Sequence, residues 1–111
     1  MKFIDLFSGI GGFRLGLESQ GHTCVAYCEI DKFARKSYQT IYDTEGEVEY
    51  HDIRQVTDDQ FRQFRGQVDL ICGGFPCQAF SLAGRRLGFE DTRGILFFEI
   101  ARAAKQIQPR F

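Results

Sequence analysis

Four short apolar runs punctuate the chain: KFIDLF at 2–7, TCVAYCEI at 23–30, EVEYHDI at 47–53 and VDLIC at 68–72. Each is followed by a segment with helical patterning. From Gly12 to Gln20 the apolar positions Phe13, Leu15 and Leu17 suit a helix, which Gly21 stops. Asp31 is placed to N-cap a second helix running to about Tyr42, with Phe33, Ala34, Tyr38 and Ile41 inward. TDDQFRQFR, residues 57–65, opens on a cap signal and predicts a short third helix. Gly94 to Gln108 carries Ile95, Leu96, Phe98, Ile100, Ala101, Ala104 and Ile107 and ends at Pro109, the pattern of an amphipathic fourth helix. Strand and helix therefore alternate four times, which demands a parallel sheet covered by helices. Right-handed crossovers restrict that to a doubly wound, Rossmann-like arrangement.

The chain has 111 residues, the size of one domain, and shows no repeat or internal boundary. A formal net charge of -1 gives no bulk basic field for nucleic acid, although a local patch can hide in a neutral total. No apolar run approaches the length of a membrane span. The N-terminus turns glycine-rich too early for a signal peptide, so a cytoplasmic location with reduced thiols is expected.

LFSGIGGF, residues 6–13, joins the first strand to the first helix. In a doubly wound sheet such a turn lies at the carboxyl end of the strands, where ligands bind. Gly9, Gly11 and Gly12 allow close backbone approach, and the helix start offers free amides to a negative group. Glu29 closes the second strand, and a carboxylate there can accept both hydroxyls of a ribose. A dinucleotide fingerprint counted from Gly9 requires glycine where Arg14 stands, which argues against a nicotinamide-dependent oxidoreductase. An adenosine ligand without a pyrophosphate fits better. S-adenosylmethionine offers a ribose, an adenine and a carboxylate for the amides. A turn with glycines for packing alone is the alternative.

Cys24 and Cys28 are four residues apart and Cys72 and Cys77 five apart. On a strand, a separation of four spans roughly 13 Å. A zinc–sulfur bond is about 2.3 Å, so no metal site is expected. Cys24, Cys28 and Cys72 read as small buried hydrophobes. Cys77 differs, because it follows the fourth strand at the ligand-binding end of the sheet, behind a stiff Phe75–Pro76 approach. A thiol of ordinary pKa needs help to ionise at neutral pH. No histidine neighbours Cys77, and His22 and His51 read as surface residues. The residues alone leave a reactive and a structural Cys77 equally open.

Taken together, DLFSGIGGF (5–13), EIDKFA (29–34), HDI (51–53), GGFPCQAFS (73–81) and GFEDTRGILFFEI (88–100) resemble the first five motifs of the bacterial DNA (cytosine-5)-methyltransferases of restriction-modification systems. The motifs keep the family's order and similar spacing across nearly the whole chain. The resemblance implies the S-adenosylmethionine-dependent methyltransferase fold, here truncated after the fourth strand and its helix. It implies that Phe7, Gly9, Ile10, Gly11 and Gly12 line the cofactor, with Phe7 against the adenine. Glu29 would hold the ribose, Ile30 would pack on the ring, and Asp52 and Ile53 would address the adenine. Pro76 and Leu96 would border the methyl-donor pocket, and Cys77 would be the nucleophile that adds to C6 of a flipped cytosine in double-stranded DNA. Gln78, Ser81, Arg85 and Arg86 fall in the loop that closes over DNA in that family.

The family's later motifs, among them a Glu-Asn-Val stretch whose glutamate contacts the base, have no counterpart in residues 1–111. Residues 1–111 are thus expected to be the N-terminal part of a catalytic domain, without a target-recognition domain and inactive alone. A missing C-terminal part is the expected partner. A non-catalytic cofactor-binding or assembly module that is half of a split enzyme is the alternative, and the open sheet edge of the fragment suits a homodimer.

Overall fold

The computed structural model describes residues 1–74 and the last helix from Phe89 onward, with side chains from Gly94 to Phe111. Pro76, Cys77, Gln78, Ser81, Arg85 and Arg86 lie outside the described residues. The elements are β1 (Lys2–Leu6), α1 (Gly12–Ser19), β2 (Thr23–Cys28), α2 (Lys32–Ile41), β3 (Val48–Tyr50), a single 3-10 turn (Ile53–Gln55), α3 (Asp58–Arg62), β4 (Leu70–Gly73) and α4 (Phe89–Ile107). The strands form one parallel sheet in the order β3-β2-β1-β4. The order reverses at β1, which puts the switch point between β1 and β4. This is the Rossmann-like architecture that the alternation of patterns predicts.

The two faces of the sheet differ in kind. Ile4 and Leu6 of β1 and Ala26 and Cys28 of β2 join Ile53, Val56, Phe61, Phe64 and Val68, and α4 adds Ala103 and Ile107, to make an apolar core. Side chains alternate along a strand, so Phe3 and Asp5 of β1 face the other way, towards α1 and α2. There Asp5, Arg14 and Tyr38 are all buried to 2% exposure or less. The helix that Phe13, Leu15 and Leu17 suit is present as α1, but Phe13 and Leu15 are exposed and Arg14 is the buried residue. On α2 only Tyr38 is buried, with Ala34 half-buried, while Phe33 and Ile41 point to solvent. On α4 the inner face is Glu99, Ile100, Ala103 and Ile107, and Ile95, Phe98 and Ala101 are exposed. That helix also starts at Phe89, ahead of Gly94.

Local signals explain the element boundaries. Asp31 caps α2 as expected, its Oδ1 accepting from the Phe33 N–H at 2.8 Å and the Ala34 N–H at 3.3 Å. Thr57 and Gln60 form a reciprocal capping box at the start of α3. In β2 the register slips between Phe3 and Ile4 of its partner, so that Phe3 pairs with Cys24 and Ile4 with Ala26. Val25 is the extra residue of a bulge. The outer edge of β4 is not bare: Phe111 donates its N–H to the Asp69 carbonyl at 2.9 Å and accepts the Ile71 N–H at 3.0 Å. One residue bracketed by two bonds is how a parallel neighbour begins.

Candidate functional site: the crevice at the carboxyl ends of the strands

The turns after β1, β2, β3 and β4 meet at one end of the sheet. The turn after β1 is built from unusual backbone. Phe7 has φ 53°, Gly9 55° and Gly11 94°, all left-handed. A left-handed phenylalanine is costly, about 1–3 kcal/mol, and persists only where its surroundings hold it. Ser8 supplies that hold, with its N–H bonded to the Cys28 carbonyl at 3.1 Å and its own carbonyl accepting the Gly11 N–H at 2.9 Å. The Ser8 hydroxyl is buried and has no hydrogen-bond partner among the described residues.

Glu29 joins this turn to the next. It is 5% exposed, its Oε1 accepts the Gly9 N–H at 2.8 Å, and its Oε2 accepts the Asp31 N–H at 2.9 Å. Its own N–H reaches the Tyr50 carbonyl at 3.1 Å, which brings in the end of β3. Arg35 fixes the same turn by donating to the carbonyls of Glu29 at 2.8 Å and Ile30 at 3.1 Å. Each carboxylate oxygen has used one of its acceptor positions, so both keep capacity for a further donor.

The residues of the expected cofactor site fall into three groups. Phe7, Gly9, Ile10, Gly11, Gly12, Glu29 and Ile30 come together across the β1 and β2 turns, with Ile10 and Ile30 exposed and Phe7 half-buried. Asp52 and Ile53 occupy the β3 turn. The Arg54 side chain bonded to Asp52 holds that carboxyl below the usual range, and Asp52 also caps the 3-10 turn. Ile53 is buried in the core, so towards the crevice it can offer backbone only. Arg102 of α4 braces this turn by donating to the Ile53 carbonyl at 3.0 Å while it pairs with Asp58 and Glu99. Leu96 stands half-buried on α4.

The carboxyl end of β4 lies next to the turn after β1. A Cβ built on Gly74 would lie 3.3 Å from the Phe13 ring and 4.0 Å from the Phe7 carbonyl. Gly74, the last described residue after β4, therefore stands beside the glycine turn. The other thiols are chemically quiet. Burial pushes Cys24 and Cys28 up to about 12 and also raises Cys72. Because of the Val25 bulge, Cys24 sits by the Tyr38 hydroxyl at 3.9 Å while Cys28 lies in the core on the opposite face. Cys72 is half-buried and bonds weakly to Asp5 Oδ1 at 3.6 Å, a polar contact where sequence suggests an apolar filler.

Sequence reasoning misses the polar network behind the turn. Arg14 donates bidentately to Glu47 at 2.7 Å, to Tyr38 at 3.1 Å, to Glu18 at 2.9 Å and to the Asp43 carbonyl at 3.1 Å. Burial alone would lower its pKa, but the bonds from Glu47, Tyr38 and Glu18 hold it above the ordinary arginine value. Tyr38 in turn donates to Asp5 Oδ2 at 3.0 Å. Arg14 is visible in the sequence only as a residue that breaks a dinucleotide fingerprint.

An adenosine ligand with a carboxylate tail suits these residues on structural grounds. A Cβ on Gly9 or Gly12 would meet no atom of the described residues within 4 Å, so the backbone there is approachable. Helix α1 has no side-chain cap and no acidic residue in its first turn, leaving its first amides for an incoming anion. The spare acceptors of Glu29 match a pair of hydroxyls.

Fold and crevice together define a doubly wound α/β domain whose candidate site lies at the topological switch point. The comparisons with known proteins make this specific. A family model described as C-5 cytosine-specific DNA methylase matches residues 1–111, and the chain belongs to that family. It is 47% identical over 110 residues to the Type II methyltransferase M.HhaI of Haemophilus parahaemolyticus, covering 99% of this chain and 32% of that protein. It is 46% identical over 109 residues to M.HpaII of Haemophilus parainfluenzae, covering 97% of this chain and 29% of the relative. It is 51% identical over 107 residues to M.Eco47II of Escherichia coli, covering 96% of this chain and 25% of the relative. The chain thus spans between a quarter and a third of the length of these relatives, at their N-terminal part.

Proposed function

We propose that residues 1–111 are the cofactor-binding and nucleophile-bearing part of a DNA cytosine C5-methyltransferase that uses S-adenosylmethionine. The observation that carries this reading is Glu29, buried and bonded through its two carboxylate oxygens to the glycine turn and the β2 turn together. Glu29 holds the ribose, Phe7 and Ile30 flank the adenine, and Asp52 with the Ile53 backbone addresses its edge. The first amides of α1, from Gly12 onward, receive the carboxylate. S-adenosylmethionine, when bound, supplies an electrophilic methyl group. Pro76 and Leu96 border that group, and Gln78, Ser81, Arg85 and Arg86 meet the DNA.

Cys77 acts on the cytosine. Its thiolate forms a bond to C6, and the enamine so made is nucleophilic at C5. After C5 has been methylated, loss of the C5 proton restores the double bond and expels the thiolate. The base must be outside the duplex for this, because neither carbon is accessible within the stack. The raised pKa values of Cys24, Cys28 and Cys72 support giving the role to the remaining cysteine.

Residues 1–111 match a quarter to a third of the relatives' length, and turnover on this reading also requires the later motifs. Among the described residues no helix is long and apolar enough to cross a membrane, and the working compartment is the cytoplasm. The test is complementation. The chain is mixed with a C-terminal methyltransferase segment beginning after the position of Phe111, and tritiated methyl transfer to cytosine-containing DNA is measured. Transfer is expected with the wild-type chain and is expected to vanish with Cys77→Ser. If no transfer appears although S-adenosylmethionine binds by calorimetry, the chain is a non-catalytic module. Binding of NAD in place of S-adenosylmethionine would favour an oxidoreductase.

A further inference from the structure

Tyr42 lies 31 residues beyond Gly11 in the chain, yet its hydroxyl donates to the Gly11 carbonyl at 2.7 Å. That carbonyl also accepts the Leu15 N–H at 2.9 Å, the first helical bond of α1. The tyrosine ring fills the space beside Gly11 so closely that a Cβ there would overlap it. The ring is itself held. The Arg14 guanidinium stands 4.8 Å from its centroid and the Tyr38 ring 5.1 Å from it, and Arg14 is anchored by Glu47. Tyr42 therefore touches the last residue of the glycine turn with its ring and its hydroxyl. Gly11 is left-handed, so this contact bears on the direction in which α1 sets off and hence on where its first amides point.

We infer that Tyr42 is a positioning residue for the anion-receiving end of the crevice, holding Gly11 so that the first amides of α1 are set before the ligand arrives. The inference rests on the cofactor reading above for its ligand, and on the Tyr42–Gly11 geometry alone for its mechanism. Removing the hydroxyl in Tyr42→Phe keeps the ring against Gly11 and deletes one hydrogen bond.

Dissociation constants are measured for the wild-type chain and Tyr42→Phe with two probes, S-adenosylmethionine and adenosine. Adenosine shares the base and ribose and lacks the carboxylate. S-adenosylmethionine is expected to bind about three- to tenfold more weakly to Tyr42→Phe, and adenosine to change by less than about twofold. An unchanged S-adenosylmethionine affinity overturns the inference, and so does an equal loss for both probes, which would mean general loosening. Amide exchange without ligand gives an independent readout. In Tyr42→Phe the Gly11 N–H should exchange several-fold faster while the Tyr42 N–H, bonded to Tyr38 in α2, keeps its rate. If the wild-type chain binds neither probe, the cofactor reading fails while the exchange data still decide the clamp: unchanged Gly11 exchange overturns it.

Discussion

Asp5 is 1% exposed in the middle of β1, and burial pushes its carboxyl up to about 6 although the Tyr38 and Cys72 hydrogen bonds pull it down. The sign follows directly. A folded-state pKa above the ordinary 3.8 means that the protonated form suits the fold. Its contribution is complete below about pH 4 and is lost as pH rises through about 6, amounting to roughly 3 kcal/mol for a shift of this size. Urea unfolding of wild type and Asp5→Asn between pH 4 and 7 should show the two stability profiles diverging in that window, with the variant gaining on wild type as pH rises. Parallel profiles would refute the assignment. The meeting of Gly9 with Glu29 was legible at this scale, because a doubly wound sheet brings the ends of β1 and β2 side by side. Arg14 was not. An arginine beside apolar neighbours on a helix reads as solvent-facing, and its burial depends on Glu47, far away in sequence.

At the scale of elements, the helices existed where periodicity placed them but only part of each apolar pattern faces inward: Ala34 and Tyr38 on α2 and Ile100 and Ile107 on α4 do, while Phe33, Ile41, Ile95 and Phe98 are exposed. Phe13, Leu15, Phe33 and Ile41 are exposed on α1 and α2 because the sheet beneath those helices presents Asp5 and Tyr27, and what meets them is Arg14 and Tyr38. Apolar periodicity cannot register a helix whose contact stripe is polar. Strand assignments held better, since short apolar runs between turns leave few alternatives. The bulge at Val25 has no sequence mark, and it decides which face each β2 cysteine occupies. The β1–α1 turn yields a contrast between two glycines. Gly11→Ala places a Cβ in the Tyr42 ring at φ 94° and should cost at least about 2 kcal/mol of stability, read from chemical denaturation. Gly9→Ala is strained at φ 55° but meets open space, so it should cost about 1 kcal/mol while weakening ligand binding more than its stability loss explains.

For the molecule as a whole, alternation of strand and helix was enough to give a parallel, doubly wound sheet, and the convergence of turns at its carboxyl ends followed from topology. What alternation could not give is how the layers are fastened. Arg14 and Glu47 join α1 to the segment before β3 across 33 residues of chain, with Glu47 only 10% exposed. Arg14→Met alone leaves a buried carboxylate without its partner and should cost about 3–5 kcal/mol, whereas Arg14→Met with Glu47→Leu should recover most of that loss in a double-mutant cycle. Additive losses would show that the pair is not coupled. Such a pair also leaves a trace in descent. Neither position can drift freely while the other stays charged, so among relatives of this chain a neutral residue at position 14 should travel with a neutral residue at position 47, and the two substitutions should be inherited as one event.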